Sequence, residues 1–385
     1  MGITIVGLGP GAGSLLTEEA RRLLEGAQEV YLRTQRHPVA AEMAGRLQLH
    51  SFDHILHSAS NRDRAVEYVV GELLRLGQKP EGVVYAVPGD PLVGDATVAA
   101  LLAACRRRRL EYRLAHGLSF LEPACAGLGL DAVAEGLQLA DALAPQLEPQ
   151  RPALIFNVAG PAAVATLKAA LLELYPADHM AAMVDAAAAT VVREVAVADL
   201  EGAAGFSYCT CLYLPPLALA HDLRTLGGLR RLVAHLRGPQ GCPWDRVQTH
   251  ASLRPFLLEE AYEALEALDD GDGARLREEL GDLLLEVLLH VQIAEDEGEF
   301  RLADVVRGIA SKLVRRHPHV FGDEAAATPQ QVMDRWEALK QAERGDGGSA
   351  LDGVPTTMPA LAYSQALLAR AARVGFQWPN LDGVL

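Results

Sequence analysis

Positive charge is in short supply in this sequence: 35 Lys and Arg stand against 50 Asp and Glu, a formal net charge of −15. Proteins that grip a phosphate backbone usually present a basic field, so no nucleic-acid polymer is expected as a partner. A small anionic substrate stays open if a metal supplies the positive charge. Cysteine is scarce as well. The five (Cys105, Cys125, Cys209, Cys211 and Cys242) are odd in number and scattered, which argues against a disulfide framework and fits a reducing cytoplasm. Cys209 and Cys211 lack the second pair that a zinc site needs and sit in a strand-like run. No uncharged apolar stretch approaches the roughly 20 residues of a membrane span. The opening MGITIVGLGPGAG has no basic segment and reaches glycine too soon for a signal peptide. A cytoplasmic protein with no membrane partner is expected.

What is present is ordinary globular composition, 50% hydrophobic and 22% charged, over 385 residues. That length accommodates two or three domains with cores of their own. Residues 1–215 alternate short apolar runs with amphipathic stretches. ITIVG (3–7), EVYLR (29–33), VVYAV (83–87), ALIFNV (153–158) and SYCTCLYL (207–214) read as strands, and the alternation predicts an α/β layered domain. From about residue 222 the strand signal vanishes, and helical periodicity with short Gly, Asp and Pro connections predicts a helical bundle. PPLALAHD (215–222) marks the junction, and GDGGSALDGVP (345–355) has linker composition.

Near the N-terminus, GLGPGAG follows a strand and precedes the helix start Thr17-Glu18-Glu19. Gly7, Gly9 and Ala12 satisfy G-x-G-x-x-A, in which glycines let backbone amides approach a pyrophosphate. The acidic residue expected after the second strand is absent, since EVYLRT ends in Arg33 and Thr34, and Pro10 removes an amide. A tight turn without a ligand is the alternative. YAVPGDPLVGDATV (85–98) then places Pro-Gly-Asp-Pro at a strand end, the usual address of a ligand loop. Together with HGLSFLEPACAGLGL (116–130), these loops resemble the tetrapyrrole methylase family of S-adenosylmethionine-dependent methyltransferases. The resemblance covers roughly residues 1–215. It implies two α/β subdomains with S-adenosylmethionine between them, contacted by Pro10, Asp90, Val93, Ser119 and Phe120. It leaves the methyl acceptor unknown.

The second half carries LEEAYEALEALDDGDGARLREELGDLLLEVLLH (258–290), in which carboxylates are set among leucines. Glu259 and Glu263 are four apart on one helix face, with Glu260 beside them. Glu279 and Asp282 are three apart on the next helix, beyond the turn DDGDG. Antiparallel helices so joined bring the pairs together. At about 4 Å and an effective dielectric near 20, each like-charge pair costs about 4 kcal/mol, so such groups protonate, splay into water or bind a cation. Hard oxygen ligands suit Mg²⁺ or Mn²⁺, and Glu259, Glu263, Glu279 and Asp282 are the expected metal ligands. A di-iron bundle calls for Glu-x-x-His, whereas Glu286 and His290 are four apart; His290 reads as a packed or partly exposed histidine. Trp244 upstream, and Lys312, Arg315, Arg316 and Lys340 downstream, supply the stacking and positive charge that a nucleoside triphosphate needs.

GCPWDRVQTH, LEEAYE, EELGDLL and KLVRRHPHVFGD resemble the MazG family of nucleoside triphosphate pyrophosphohydrolases, over about residues 225–345. The resemblance implies an all-α bundle that dimerises, with Mg²⁺ held by the acids of its two motifs. Glu260 is the expected group to orient or deprotonate the attacking water. Residues 360–385 resemble the lead-in to a second MazG repeat, with Phe376-Gln377-Trp378 echoing Cys242-Pro243-Trp244.

The expected protein is thus multidomain: a tetrapyrrole-methylase-like α/β domain (1–215), a linker (216–224), an all-α MazG-like helical bundle (225–345), then linker and the start of a possible second repeat (346–385). The expected reaction is Mg²⁺-dependent hydrolysis of a nucleoside triphosphate to monophosphate and pyrophosphate. The alternative is a methyltransferase whose acidic bundle binds nucleotide, or pairs two chains, without catalysis.

Overall fold

The computed structural model describes residues 2–58, 62–158, 160–203, 205–322, 328–332, 336, 349, 351–373 and 375–376. The chain divides into two compact units, Met1–Arg246 and Val247–Leu385.

The first unit begins with β1 (Ile3–Gly7), α1 (Glu18–Glu25), β2 (Glu29–Leu32), α2 (Pro38–Met43), β3 (Gln48–Ser51), α3 (Asp53–Ser58), α4 (Arg62–Leu76), β4 (Val83–Val87), α5 (Ala96–Arg108) and β5 (Tyr112–Ala115). The strands form a five-stranded sheet in the order β3-β2-β4-β1-β5, parallel throughout. β1 and β4 are almost continuously buried, as expected of parallel strands covered on both faces. Ile3, Ile5, Tyr85 and Val87 pack with Leu73 and Leu101 on one face, and Val6, Leu8 and Leu32 with Leu24 on the other.

There follow α6 (Leu121–Leu128), β6 (Gln138–Asp141), β7 (Ala153–Phe156), α7 (Pro161–Leu174), β8 (Met180–Asp185), β9 (Thr190–Ala196) and β10 (Thr210–Leu214). These strands make a second five-stranded sheet, β6-β7-β10-β8-β9, in which only the β6–β7 pair is parallel. Its core is Ile155, Leu167, Leu171, Met183, Leu212 and their neighbours. The five strands read from the sequence are β1, β2, β4, β7 and β10. Of those it missed, β3, β5, β6 and β9 are sheet edges; the first three are four residues long and partly exposed, and β9, seven residues long, has its apolar run broken by Arg193 and Glu194. β8, MAAMVD, is interior, but alanine gives little strand signal.

Next come α8 (Leu226–Arg237) and α9 (Pro243–Arg246), which fall within the first unit. Asp222, fully buried, explains how α8 is held there. It accepts hydrogen bonds from Gln150 Nε2 (2.5 Å), Thr225 Oγ1 (2.8 Å) and Arg231 Nη2 (3.1 Å).

The second unit contains α10 (His250–Asp270), α11 (Gly273–Glu297), α12 (Leu302–Arg316), α13 (Pro318–Phe321) and α14 (Ala360–Arg373). Thr249 caps α10 in a reciprocal box: its Oγ1 accepts from Ser252 N (3.2 Å), while Thr249 N donates to Ser252 Oγ (2.9 Å). α10 ends at Gly271, φ 69°, the left-handed cap that glycine adopts without strain. Asp272 immediately caps α11, accepting from Ala274 N and Arg275 N. This tight connection folds the two helices into an antiparallel hairpin. Among the described residues, no helix is long and apolar enough to cross a membrane.

Candidate functional sites

In the first unit, the loops after β1, β4 and β5 meet through glycine. A Cβ on Gly7 would lie 2.5 Å from Gly117 N and 2.6 Å from Gly89 O, and one on Gly117 would lie 2.3 Å from Gly89 O. Gly9 and Gly89 exchange backbone hydrogen bonds of 3.2 and 2.7 Å at φ values of 72° and 70°. Loop-to-loop contact therefore demands these glycines before any ligand is considered. The junction lies at the carboxyl ends of neighbouring strands, where open parallel sheets bind ligands.

Asp90 ties this junction together. Its Oδ1 accepts from Leu92 N (2.8 Å), and its Oδ2 accepts from His116 Nδ1 (2.9 Å) and Gly117 N (3.3 Å). Thr17 Oγ1 donates to His116 O at 2.8 Å. Pro10 is buried, and its carbonyl accepts from Cys209 Sγ. Phe120 closes over the turn, since a Cβ on Gly89 would meet its ring at 2.8 Å. Val93 N donates to Asp90 O, and buried Ser119 donates to Glu122. Pro10, Asp90, Val93, Ser119 and Phe120 thus all belong to the loops around one glycine junction. Arg33, found where an acidic residue was sought, pairs with Asp95 at 3.4 Å, and Asp95 caps α5.

In the second unit, carboxylate oxygens of Glu260, Glu263 and Glu279 lie within 4.8 Å of one another, across the α10–α11 hairpin. Glu279 is buried at 8% exposure. Burial, then the charges of Asp282, Glu263 and Glu279, pushes the Glu260 carboxyl above the usual glutamate range. Asp282, half-buried one turn beyond Glu279, therefore belongs to the same electrostatic group. Glu259 does not join it: its side chain is exposed, and the cluster takes Glu260 in its place. The spacing within each helix is then three residues, Glu260/Glu263 and Glu279/Asp282. Arg275, which sequence reasoning missed, contacts Glu279 at 3.5 Å and also reaches Glu266 and Asp270. Its i,i+4 spacing to Glu279 was the available signal.

Lys312 and Arg315 are exposed near the end of α12, and Arg316 is half-buried with its guanidinium 5.4 Å from the centroid of the Trp336 ring. Trp244 lies in α9, in the first unit, with 54% of its surface exposed. Lys340, Gln377 and Trp378 lie outside the described residues. The cation fits the donor set: three or four carboxylates, one buried and one with raised proton affinity, are the hard oxygen ligands that a divalent ion takes.

A parallel sheet whose glycine loops meet at its carboxyl edge is thus joined in one chain to a helical hairpin lined with carboxylates. Residues 2–203, more than half the chain, match the tetrapyrrole (corrin/porphyrin) methylases, and the chain belongs to that family. Residues 248–321 match the MazG nucleotide pyrophosphohydrolase domain. The uncharacterized protein YabN of Bacillus subtilis is 38% identical over 375 residues, 95% of this chain and 76% of that protein. The nucleoside triphosphate pyrophosphohydrolase/pyrophosphatase MazG of Thermotoga maritima is 44% identical over 154 residues, 40% of this chain and 59% of that one. The nucleoside triphosphate pyrophosphohydrolase of Escherichia coli is 45% identical over 160 residues, 41% of this chain and 61% of that one. The chain therefore spans about three fifths of those two pyrophosphohydrolases.

Proposed function

We propose that the helical unit hydrolyses nucleoside triphosphates to monophosphate and pyrophosphate. The convergence of Glu260, Glu263 and Glu279 across two helices carries this reading. Glu263, Glu279 and Asp282, with Glu260 beside them, would hold Mg²⁺ or Mn²⁺. That ion, when bound, supplies charge neutralisation at the phosphates and acidifies a coordinated water. Glu260, whose proton affinity is raised by burial and then by its neighbours, orients the attacking water and takes its proton. Water oxygen bonds to the α-phosphorus, the bond from that phosphorus to the α–β bridging oxygen breaks, and pyrophosphate leaves with the electron pair. Arg275 positions Glu279 through their ion pair. Lys312, Arg315, Arg316 and Lys340 neutralise the departing pyrophosphate.

The glycine junction binds S-adenosylmethionine through the loops carrying Pro10, Asp90, Val93, Ser119 and Phe120, with the methyl acceptor unassigned. Two chains associate through the helical unit, which supports that reading by exposing Leu258 (58%), Leu265 (54%) and Ile309 (50%). A cytoplasmic location is part of the same proposal, supported by the few, scattered cysteines. A panel of nucleoside triphosphates, with and without Mg²⁺, tests the hydrolase: metal-dependent release of pyrophosphate and monophosphate is expected. Tight Mg²⁺-dependent nucleotide binding without turnover would replace it with a sensor or pairing module.

A further inference from the structure

We infer a second divalent-cation site, formed by His250, Glu297 and Glu299 at the open end of the α10–α11 hairpin and suited to a transition ion such as Zn²⁺. One donor atom from each of the three lies within 4.8 Å of the others, and His250 Nε2 stands 3.9 Å from Glu299 Oε2. A site with an imidazole nitrogen and two carboxylates prefers zinc or a similar ion, where the all-carboxylate cluster prefers magnesium. The two sites are separate. His250 precedes Glu260 by ten residues of continuous α10, about 15 Å at 1.5 Å per residue.

The local structure prepares each ligand. His250 is the first residue of α10, behind the Thr249 cap. Glu297 ends α11, and Gly298, at φ 74°, turns the chain left-handed. Glu299 N then donates to Ala294 O at 2.9 Å, the helix-closing bond that brings Glu299 back over the end of α11. The last turn of α11 contains no basic residue, although the helix dipole there favours a cation.

The far side of His250 supplies an independent observation. Its Nδ1 lies 2.7 Å from Nδ1 of His290, with the rings stacked 5.0 Å apart and 10° from parallel. A contact that short requires a proton on one of the two nitrogens. Placed on His250, it leaves Nε2 with a free lone pair on the side of Glu299, the tautomer a metal-bound histidine adopts. Beneath this pair, Glu286, only 7% exposed, lies one turn from His290 on the same face of α11. Glu286 Oε2 and His290 Nε2 are both buried without a hydrogen-bond partner. His290 Nε2 lies across its ring from the Nδ1 that meets His250, so these two atoms belong to the hairpin interior and not to the cation site. A cation here would tie the start of α10 to the end of α11, opposite the tight Gly271–Asp272 connection.

The test is calorimetric titration of Zn²⁺ into the full chain, free of any histidine tag and saturated with Mg²⁺, with Co²⁺ absorption as the ligand signature. One equivalent of Zn²⁺ is expected, weakened at least about tenfold in His250→Asn and in Glu299→Gln and retained in Glu263→Gln. The Co²⁺ complex should show ligand-field bands without thiolate charge transfer. Both substituted side chains are solvent-accessible, and circular dichroism checks the fold of each variant. Absence of Zn²⁺ binding overturns the inference. So does binding that survives both His250→Asn and Glu299→Gln, binding lost only in Glu263→Gln, or a thiolate band.

Discussion

The α/β unit and the helical unit solve the burial problem differently. In the first, every strand of the sheet interiors finds cover within the same unit, and Ile5, Val6, Leu154, Ile155 and Leu212 are fully buried. In the second, α12 contains no buried residue, and Leu258, Leu265 and Leu268 of α10 and Leu280 of α11 stay more than half exposed. Exposed apolar patches of this kind mark association surfaces. The polar groups are distributed in the opposite way. The α/β junction satisfies Asp90 through backbone and histidine donors, whereas in the helical hairpin burial and the neighbouring carboxylates raise the proton affinity of Glu260.

Four experiments would break or sharpen that contrast. The largest effect is expected from Glu263→Gln, which should lower pyrophosphate release by at least about 100-fold with unchanged helical circular dichroism. Near-normal turnover in the folded variant would mean that the carboxylates are solvated and bind nothing. Next comes Gly117→Ala, whose added methyl would meet Gly89 O and the Gly7 backbone. Overpacking against rigid backbone should destabilise the α/β unit by about 1–3 kcal/mol and impair S-adenosylmethionine binding in calorimetry. Metal-dependent hydrolysis by the helical unit should persist. If hydrolysis fell in parallel, the units would not be independent.

A smaller and more specific change is expected from Ile309→Glu. Light scattering should show the native assembly dissociating, while a native protein that is already monomeric would remove the argument from exposed leucines. The smallest effect concerns pH. Burial and then three neighbouring carboxylates hold the folded-state Glu260 above its usual value of 4.5, so folding favours its protonated form. The resulting stabilisation is fully present below the unfolded value and is lost as pH rises through the folded one. Without metal, Glu260→Gln should therefore melt a few degrees above the native chain near pH 7.5, with the gap closing toward pH 5. A constant gap would detach Glu260 from the cluster.

Much of this organisation is readable without coordinates. Parallel interior strands such as VVYAV are continuous apolar runs because both faces are covered, so β1 and β4 announce themselves. Edge strands do not, since one side faces solvent, and QLHS or QLAD carry little apolar signal. α8 has helical periodicity that says nothing about which unit it serves; that depends on Asp222, buried among Gln150, Thr225 and Arg231, the first of them far away in sequence.

The sequence by itself determined that an α/β half precedes a helical half, that glycine loops stand at strand ends, and that two helices carry paired acids. These follow from local periodicity and composition, which a single chain displays. Only the tertiary structure decided that Glu260, and not Glu259, faces Glu263 and Glu279, and that His250 meets both His290 and the far end of α11. Adjacent helix residues differ by about 100° in direction, and a helix surrounded by leucines does not reveal its azimuth. That angle is set by the packing of α10 against α11, and with it the identity of the carboxylates that converge.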